Sequence, residues 1–423
     1  MKRIHLSTIA VLSALLPFAG AAAATESVLY SFTGGADGAF PRAGLIMDSG
    51  ALYGTTEFGG AGNRGTVFEL TRPAAGGRHW TKTVLHSFTG GADGAHPMGT
   101  LLKDNAGALY GTTEVGGTGW GTVFKLTPAA AGQTAWTESV LYRFTGGTDG
   151  KWPNAGLIAK HGVLYGTTPN GGGTGRYGTV FKLRPPAAGQ TAWTESVLHS
   201  FTGGADGRSP AASLIIDSSG ALYGTTYLGG NRYWGGTAFK LTPPAAGQTA
   251  WTETVLYSFG GGTDASDPHA GLIMDSSGVL YGTTFYGGSA NLGAAFKLTP
   301  PAAGQTAWTE TVLHSFTGGT DGNYPKAGLI VDSSGVLYGT TPNGGGTANS
   351  GTVFKLTPPA TGQTAWTETV LHRFTGSSDG GLPWGDALLA TAGLLANKSG
   401  FLFGTTYDGG AGNSGTVFKV VVP

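Results

Sequence analysis

Apolar and polar positions along this chain fall into four short runs, and then the same four runs begin again. The stretch after Pro325 shows one set. Residues 327–332 are apolar up to Asp332 and close on the turn Ser333-Ser334-Gly335, and residues 336–341 follow as Val-Leu-Tyr-Gly-Thr-Thr. A glycine-rich loop covers 342–351, and residues 352–357 then put Thr, Phe and Leu on one face and Val and Lys on the other. After Pro358 and Pro359 comes a turn and a last run, 366–374. β-Branched and aromatic runs bounded by Gly, Pro, Asp and Ser predict strands. No window keeps a helical period for more than a turn or so.

The marker of the second run, Tyr-Gly-Thr-Thr, begins at Tyr53, Tyr110, Tyr165, Tyr223, Tyr281 and Tyr338, and Phe403 leads a seventh copy. The unit around it repeats every roughly 57 residues, a period that signals a repeat architecture. Seven repeats of four strands predict an all-β fold, a seven-bladed β-propeller whose blades each hold four strands. A β-solenoid has shorter coils and lacks the hairpin pattern. The phase of the repeat predicts how the ring closes. Residues 26–32 match the fourth run, while the chain ends on 415–423, which matches the third. The N-terminal strand 27–33 is therefore expected to pair with 416–421 and complete the last blade, leaving no free edge. The Gly after the Tyr is expected where a Cβ would hinder sheet approach.

The run GALYGTT…GG…GTVFKLTP…ETVLYSFTGG.DG..P.AGLI.D resembles the GloVer tandem repeat of exported bacterial proteins. The resemblance covers essentially all of the mature chain. It implies a propeller-like exported protein and brings no established activity and no catalytic residues. Such proteins often end in an anchoring segment, whereas this sequence stops at Pro423 just after a strand, so attachment to the cell is not expected.

Composition narrows the picture further. The 423 residues carry 24 basic and 24 acidic side chains, so there is no basic footprint for a nucleic-acid partner. Charged residues make up only 11% of the chain, which suits strands covered on both faces. Lys2 and Arg3, an apolar run from Ile9 to Phe18 and the small residues 21–24 read as an export signal, residues 1–24. The run is short for a membrane span. The mature domain is then 25–423, expected to be a secreted or periplasmic monomer with no membrane contact. The absence of cysteine excludes disulfides, thiol catalysis and Cys-ligated zinc.

The repeat separates scaffold from candidate chemistry. Most acids recur by blade: Asp37, Asp93, Asp149, Asp206, Asp264, Asp321 and Asp379 in an Asp-Gly loop, five more in the Asp-Ser-Ser-Gly-like turn, and Glu26, Glu138, Glu195, Glu253, Glu310 and Glu368 in the last run. Asp before Gly suits tight turns. Each such loop offers one carboxylate, a poor calcium set, so no metal and no cofactor is expected. Glu57 and Glu114 follow Tyr-Gly-Thr-Thr directly in blades 1 and 2, and Asp408 lies one residue further on in blade 7. They form either an acidic arc on one rim, able to bind a cation or to work as general acid and base, or simply solvated loop carboxylates. His86, His199, His314 and His372 share a strand position with Tyr30, Tyr142 and Tyr257, which reads as packing. His96 and His269 are unrepeated but belong to blades 2 and 5, across the ring.

Six tryptophans recur once per blade. Trp120, Trp152, Trp234 and Trp384 do not, and they fall in the loop after Tyr-Gly-Thr-Thr or beside the Pro that leads into the inner strand. Both loop sets emerge on one face of a propeller. The residue before that Pro runs Phe40, His96, Trp152, Ser209, Asp267, Tyr324, Leu382 around the ring, and is expected to rim the mouth of the central channel. A concave, aromatic, weakly charged site suits a carbohydrate or a partner protein. The alternative is that these rings only cap the channel by packing on each other. The expected function is ligand binding through this face, with a polysaccharide hydrolase or lyase, or a passive envelope protein, as competing readings.

Overall fold

Each repeat folds into one four-stranded antiparallel sheet, and the four positions of Tyr-Gly-Thr-Thr each have a separate reason to be there. In this computed structural model, which describes residues 24–73, 79–130, 133, 135–381, 394–397 and 400–423, seven such sheets form the blades of a β-propeller. The leader lies outside the described residues apart from Ala24, and so does Trp384. Among the described residues the one helical element is a 3-10 turn, Gly35–Asp37, and no helix there is long and apolar enough to cross a membrane.

In four blades the Tyr hydroxyl donates to the Asp carboxylate at the turn that opens its own strand, and in blade 1 it donates across the ladder to the third strand. Tyr110, Tyr223, Tyr281 and Tyr338 reach Asp104, Asp217, Asp275 and Asp332 at 3.0–3.1 Å, and Tyr53 reaches Glu69 at 2.9 Å. The Gly faces the Phe of the third strand across the ladder, as Gly54 faces Phe68. A Cβ there would lie 2.5–2.7 Å from the Phe Cζ in all seven blades. The glycine thus makes room for a ring of its own blade, and the sequence expectation of approach by a second sheet is corrected. The first Thr reaches the neighbouring blade: Thr405 donates to the Ala43 carbonyl at 3.1 Å and Thr225 to that of Ala270 at 2.9 Å. The second Thr shares a hydroxyl bond with the Thr that starts the third strand, at 2.8–2.9 Å in six blades.

The ring closes as the repeat phase requires. Strand Thr25–Ser31 pairs antiparallel with Thr416–Val421, from Thr25 opposite Val421 to Ser31 opposite Thr416. The core lies between blades. Tyr53, Val67, Leu85 and Phe88 of blade 1 pack on Leu101, Leu109, Phe124 and Leu126 of blade 2, and the other six interfaces repeat the arrangement. Across each interface two buried phenylalanines meet edge to face, such as Phe32–Phe68 and Phe88–Phe124, with centroids 5.0–5.2 Å apart and planes at 64–70°. Burial of each ring contributes about 1.5–3 kcal/mol, more than the about 0.5–1.5 kcal/mol of the edge contact, so burial holds the ring and the contact sets its angle.

The recurrent Asp and Glu belong to these interfaces. In six connectors the Asp carboxylate takes the backbone N–H and the hydroxyl of the Thr four residues before it, as Asp93, Asp149 and Asp206 do from Thr89, Thr145 and Thr202. It also faces the Tyr or His of the fourth strand, for example Tyr30 at 2.6 Å and His314 at 3.3 Å. The Tyr/His position is therefore a polar partner of the loop Asp as well as packing on Phe. In six blades a Glu of the fourth strand lies beside the same Asp, and burial first and the Asp charge second push Glu26, Glu138, Glu195, Glu253, Glu310 and Glu368 up to about 7. Blade 1 has Lys82 instead, ion-paired with Asp37 at 3.1 Å.

Two outcomes test this account. Gly54→Val or Gly282→Val forces a side chain into Phe68 or Phe296 and is expected to cost about 1–3 kcal/mol in chemical denaturation, whereas Gly204→Ala, with Thr202 Oγ1 3.6 Å away, is near neutral. The six glutamates have folded pKa values raised above their unfolded 4.5, so their contribution is fully present below pH 4.5 and is lost as pH rises through about 7. The melting temperature is expected to fall between pH 5 and 8, and to fall less in Glu138→Gln/Glu195→Gln. An equal fall in that variant rejects the assignment.

Candidate ligand-binding face

The residue before the inner-strand Pro is held in a left-handed backbone conformation in every described blade. Phe40, His96, Trp152, Ser209, Asp267 and Tyr324 have φ of 54–62°. Residues before Pro prefer extended backbone, so this conformation is costly, of order 1–3 kcal/mol. Backbone hydrogen bonds offset it. Each of these N–H groups donates to the loop of the preceding blade, as Phe40 does to Ser414, Trp152 to Trp120 and Tyr324 to Leu292, at 2.7–2.9 Å. The carbonyls of Phe40, His96, Ser209 and Asp267 accept from the residue directly after Tyr-Gly-Thr-Thr in the same blade, at 2.9–3.4 Å. The two loop sets are thus stitched together on one face.

The rings on that face meet in runs that cross blade boundaries. Phe40 stacks on Tyr407 at 4.8 Å and meets the edge of Phe58, which in turn meets His96 at 4.7 Å. Trp120 and Trp152 lie 5.9 Å apart, with the Lys151 ammonium 4.9 and 4.2 Å from their centres. A third run goes from Tyr227 to His269, stacked at 4.7 Å, on to Phe285, and then to Tyr324, stacked on Phe285 at 4.8 Å, and Tyr286. His269 itself is buried, and its Nε2 is 3.1 Å from Asp267. Trp234 stands 69% exposed.

The acids are arranged differently from the expected arc. Glu57 is buried, with its Oε2 2.5 Å from Arg42 Nε, and Arg42 also donates to the Tyr407 hydroxyl at 3.1 Å and covers the Tyr407 ring. Burial pushes Glu57 up to about 7 against the pull of Arg42, with the neighbouring Glu114 charge adding to the rise. Glu114 is also raised by burial. These two carboxylates therefore feel each other. Asp408 does not join them: its backbone pairs with Gly381, its carboxylate lies against that glycine, and burial alone raises it. Tyr407 holds the position equivalent to Glu57, which is why the residue after it faces elsewhere. The inner segments also approach closely at the axis. A Cβ on Gly99 would lie 2.5 Å from the Ala155 carbonyl oxygen, and the cavity among Thr100, Asn154 and Ser213 is about 20 Å³, one water in size.

Comparison with known proteins agrees with the architecture. The profile of the Gloeobacter/Verrucomicrobia repeat matches residues 18–195, 119–345 and 303–422. The chain belongs to this repeat family. No curated protein matches it. Among solved structures, a Bacteroides uniformis protein named for 6-phosphogluconolactonase is similar at 14% identity and a TM-score of 0.50, over 84% of this chain and 88% of that one. PorZ of the Porphyromonas gingivalis type-IX secretion system gives 12% and 0.49, over 93% of this chain and 48% of PorZ, so the chain spans about half of that relative. The phage phi92 endosialidase gives 12% and 0.43, over 94% and 68%. At 14% identity the likeness to the Bacteroides uniformis protein is one of fold.

Sequence comparison of repeats singled out the position before Pro but passed over Arg42, Phe58, Tyr227, Phe285 and Tyr407. The same comparison finds the last three one step away, because the residue after Tyr-Gly-Thr-Thr runs Glu57, Glu114, Pro169, Tyr227, Phe285, Pro342, Tyr407, whereas Arg42 and Phe58 occupy other positions. Arg42→Ala removes the one charge that lowers Glu57, so the Glu57 pKa is expected to rise above 7 in a carboxyl NMR titration, whereas an unchanged or lower value breaks the pairing.

Proposed function

We propose that this repeat protein is an exported binding module that takes a carbohydrate on the loop face. The observation that carries the reading is the set of aromatic runs held at one end of the ring by a strained, hydrogen-bonded backbone. Rings ordered in this way lose little entropy when a sugar stacks on them. The polar sector of Arg42, Glu57 and Glu114 beside them supplies hydrogen-bonding groups. Weak overall charge suits a neutral or mildly polar ligand better than a strongly ionic one.

One observation favours a second reading, hydrolysis or lyase chemistry at the same face. Glu57 and Glu114 are neighbouring carboxylates, both raised by burial, with Glu57 at about 7, and one carboxyl partly protonated at neutral pH beside a second is the arrangement of a general acid and base.

Trp152→Ala combined with Tyr324→Ala is expected to abolish retention on insoluble polysaccharide or cell-wall material while shifting the melting temperature only slightly. Equal loss of fold assigns the rings to packing alone. New reducing ends or unsaturated products from a polysaccharide panel, lost in Glu57→Gln, decide for the enzyme.

A further inference from the structure

The connector from blade 4 to blade 5 breaks the repeat at three positions, and the breaks surround a cleft. Six connectors carry Thr after the last Phe of the fourth strand: Thr33, Thr89, Thr145, Thr202, Thr317 and Thr375, each with its hydroxyl on the loop Asp. Here the residue is Gly260. Its φ is not positive, and an added Cβ would meet only the carboxylate of Asp264, at 2.9 Å. Backbone geometry therefore does not call for glycine. The exchange even leaves a cost, because Asp264 Oδ1 is buried with no hydrogen-bond partner. The glycine of Asp-Gly becomes Ala265, the facing Thr of the third strand becomes Ala294, and Ala265–Ser266 pairs with Tyr286–Gly287 as a short extra ladder.

Gly260 is a wall of a cleft of about 320 Å³ that lies between the blade 4 loop and the blade 5 loop. Three of the four exposed aromatic rings among the described residues stand around it: Trp234 at 69%, Tyr233 at 57% and Tyr286 at 41% exposure. Exposed rings gathered at one place mark an interaction site rather than leftover surface. They are also held. Tyr233 meets the edge of Trp234 at 4.9 Å and carries the Arg208 guanidinium at 3.9 Å, while Tyr286 meets the edges of Phe285 and Tyr324. The polar lining is Arg232, Ser266 and Asn291, with no carboxylate.

We propose that this cleft binds a pyranose ring of a saccharide, its C–H face stacked on Trp234 or Tyr286 and its hydroxyls met by Arg232, Ser266 and Asn291. The inference rests on the carbohydrate reading of the loop face and places one subsite of it away from the axis. The volume is at the small end for ligand sites, enough for about one or two sugar rings. The missing Thr side chain is what opens the space, and the unpaired Asp264 oxygen is the stability lost for it.

The test uses the whole mature chain with cellohexaose, xylohexaose, laminarihexaose and chitohexaose in isothermal titration calorimetry. At least one of these binds the unmodified protein, and Trp234→Ala weakens it about tenfold or more. Gly260→Thr restores the residue of the other six connectors, fills the cleft and weakens binding to the same degree, with a melting temperature equal to or above that of the parent. Trp152→Ala separates the two proposals. If Trp152→Ala loses binding while Trp234→Ala and Gly260→Thr keep it, the cleft is wrong and the mouth reading stands. If Trp234→Ala and Gly260→Thr lose it and Trp152→Ala keeps it, the cleft stands alone. An unmodified protein that binds none of the four overturns both.

Discussion

Everything in this ring depends on a phenylalanine whose ring tip occupies the space beside a glycine. Phe68 rests on Gly54 of its own blade and presents its ring to Phe32 at the end of the strand before it, and the same contact recurs seven times. A Cβ on the glycine would lift the ring by more than the tolerance of a close-packed interface. Lifted, the Phe would no longer fit against the next blade. Because each interface uses the same contact, the angle between blades is set locally, and seven equal angles close a circle. The N-terminal strand then needs only to supply the missing edge of blade 7, with Phe32 in the same place as the other six.

That geometry fixes where variation is cheap. The faces of the blades are committed to burial, the ladders to hydrogen bonding, and the connectors to the Asp that gathers a Thr and a Tyr or His. What remains is the two loop sets on one face. There the chain accepts a left-handed residue before Pro in six described blades, at a cost of order 1–3 kcal/mol each that backbone hydrogen bonds of about 1 kcal/mol offset, two of them at Phe40, His96, Ser209 and Asp267 and one at Trp152 and Tyr324. The side chain on that residue is left free to differ, and it does: Phe, His, Trp, Ser, Asp, Tyr.

The fold was readable because it is written seven times. The period, the phase of the first and last runs, and the alternation within each strand together specified blades, closure and register, down to 27–33 against 416–421, where the ladder covers Thr25–Ser31. The site was readable only in part, for a physical reason. A repeat reveals which position varies, but the partners of a side chain come from a different blade. Arg42 of blade 1 lies on Tyr407 of blade 7, and Lys326 of blade 6 lies on Phe285 of blade 5. No spacing along the chain brings those pairs to notice. The same limit explains Asp408, which looked like a neighbour of Glu57 by position but is offset by one residue, and so presents itself to Gly381.

Repetition also gives a measure of which departures carry meaning. A change that keeps hydrogen bonding and packing whole, such as Tyr for His opposite the loop Asp, says little about function, because either ring satisfies the same carboxylate. Lys82 for Glu is another of this kind, since it turns a pair of carboxylates into an ion pair and relieves the interface. The informative departures are those that leave the structure worse off by itself. Glu57 and Arg42 bury an ion pair where blades 4, 5 and 7 place the rings of Tyr227, Phe285 and Tyr407, and Gly260 gives up a hydroxyl and strands a buried carboxylate oxygen. Drift between copies tends toward sequences that satisfy the scaffold, because the scaffold is selected at every blade. A costly exception at one blade stands out against that trend, and the saccharide proposed for the cleft beside Gly260 would offset the loss by binding the folded state.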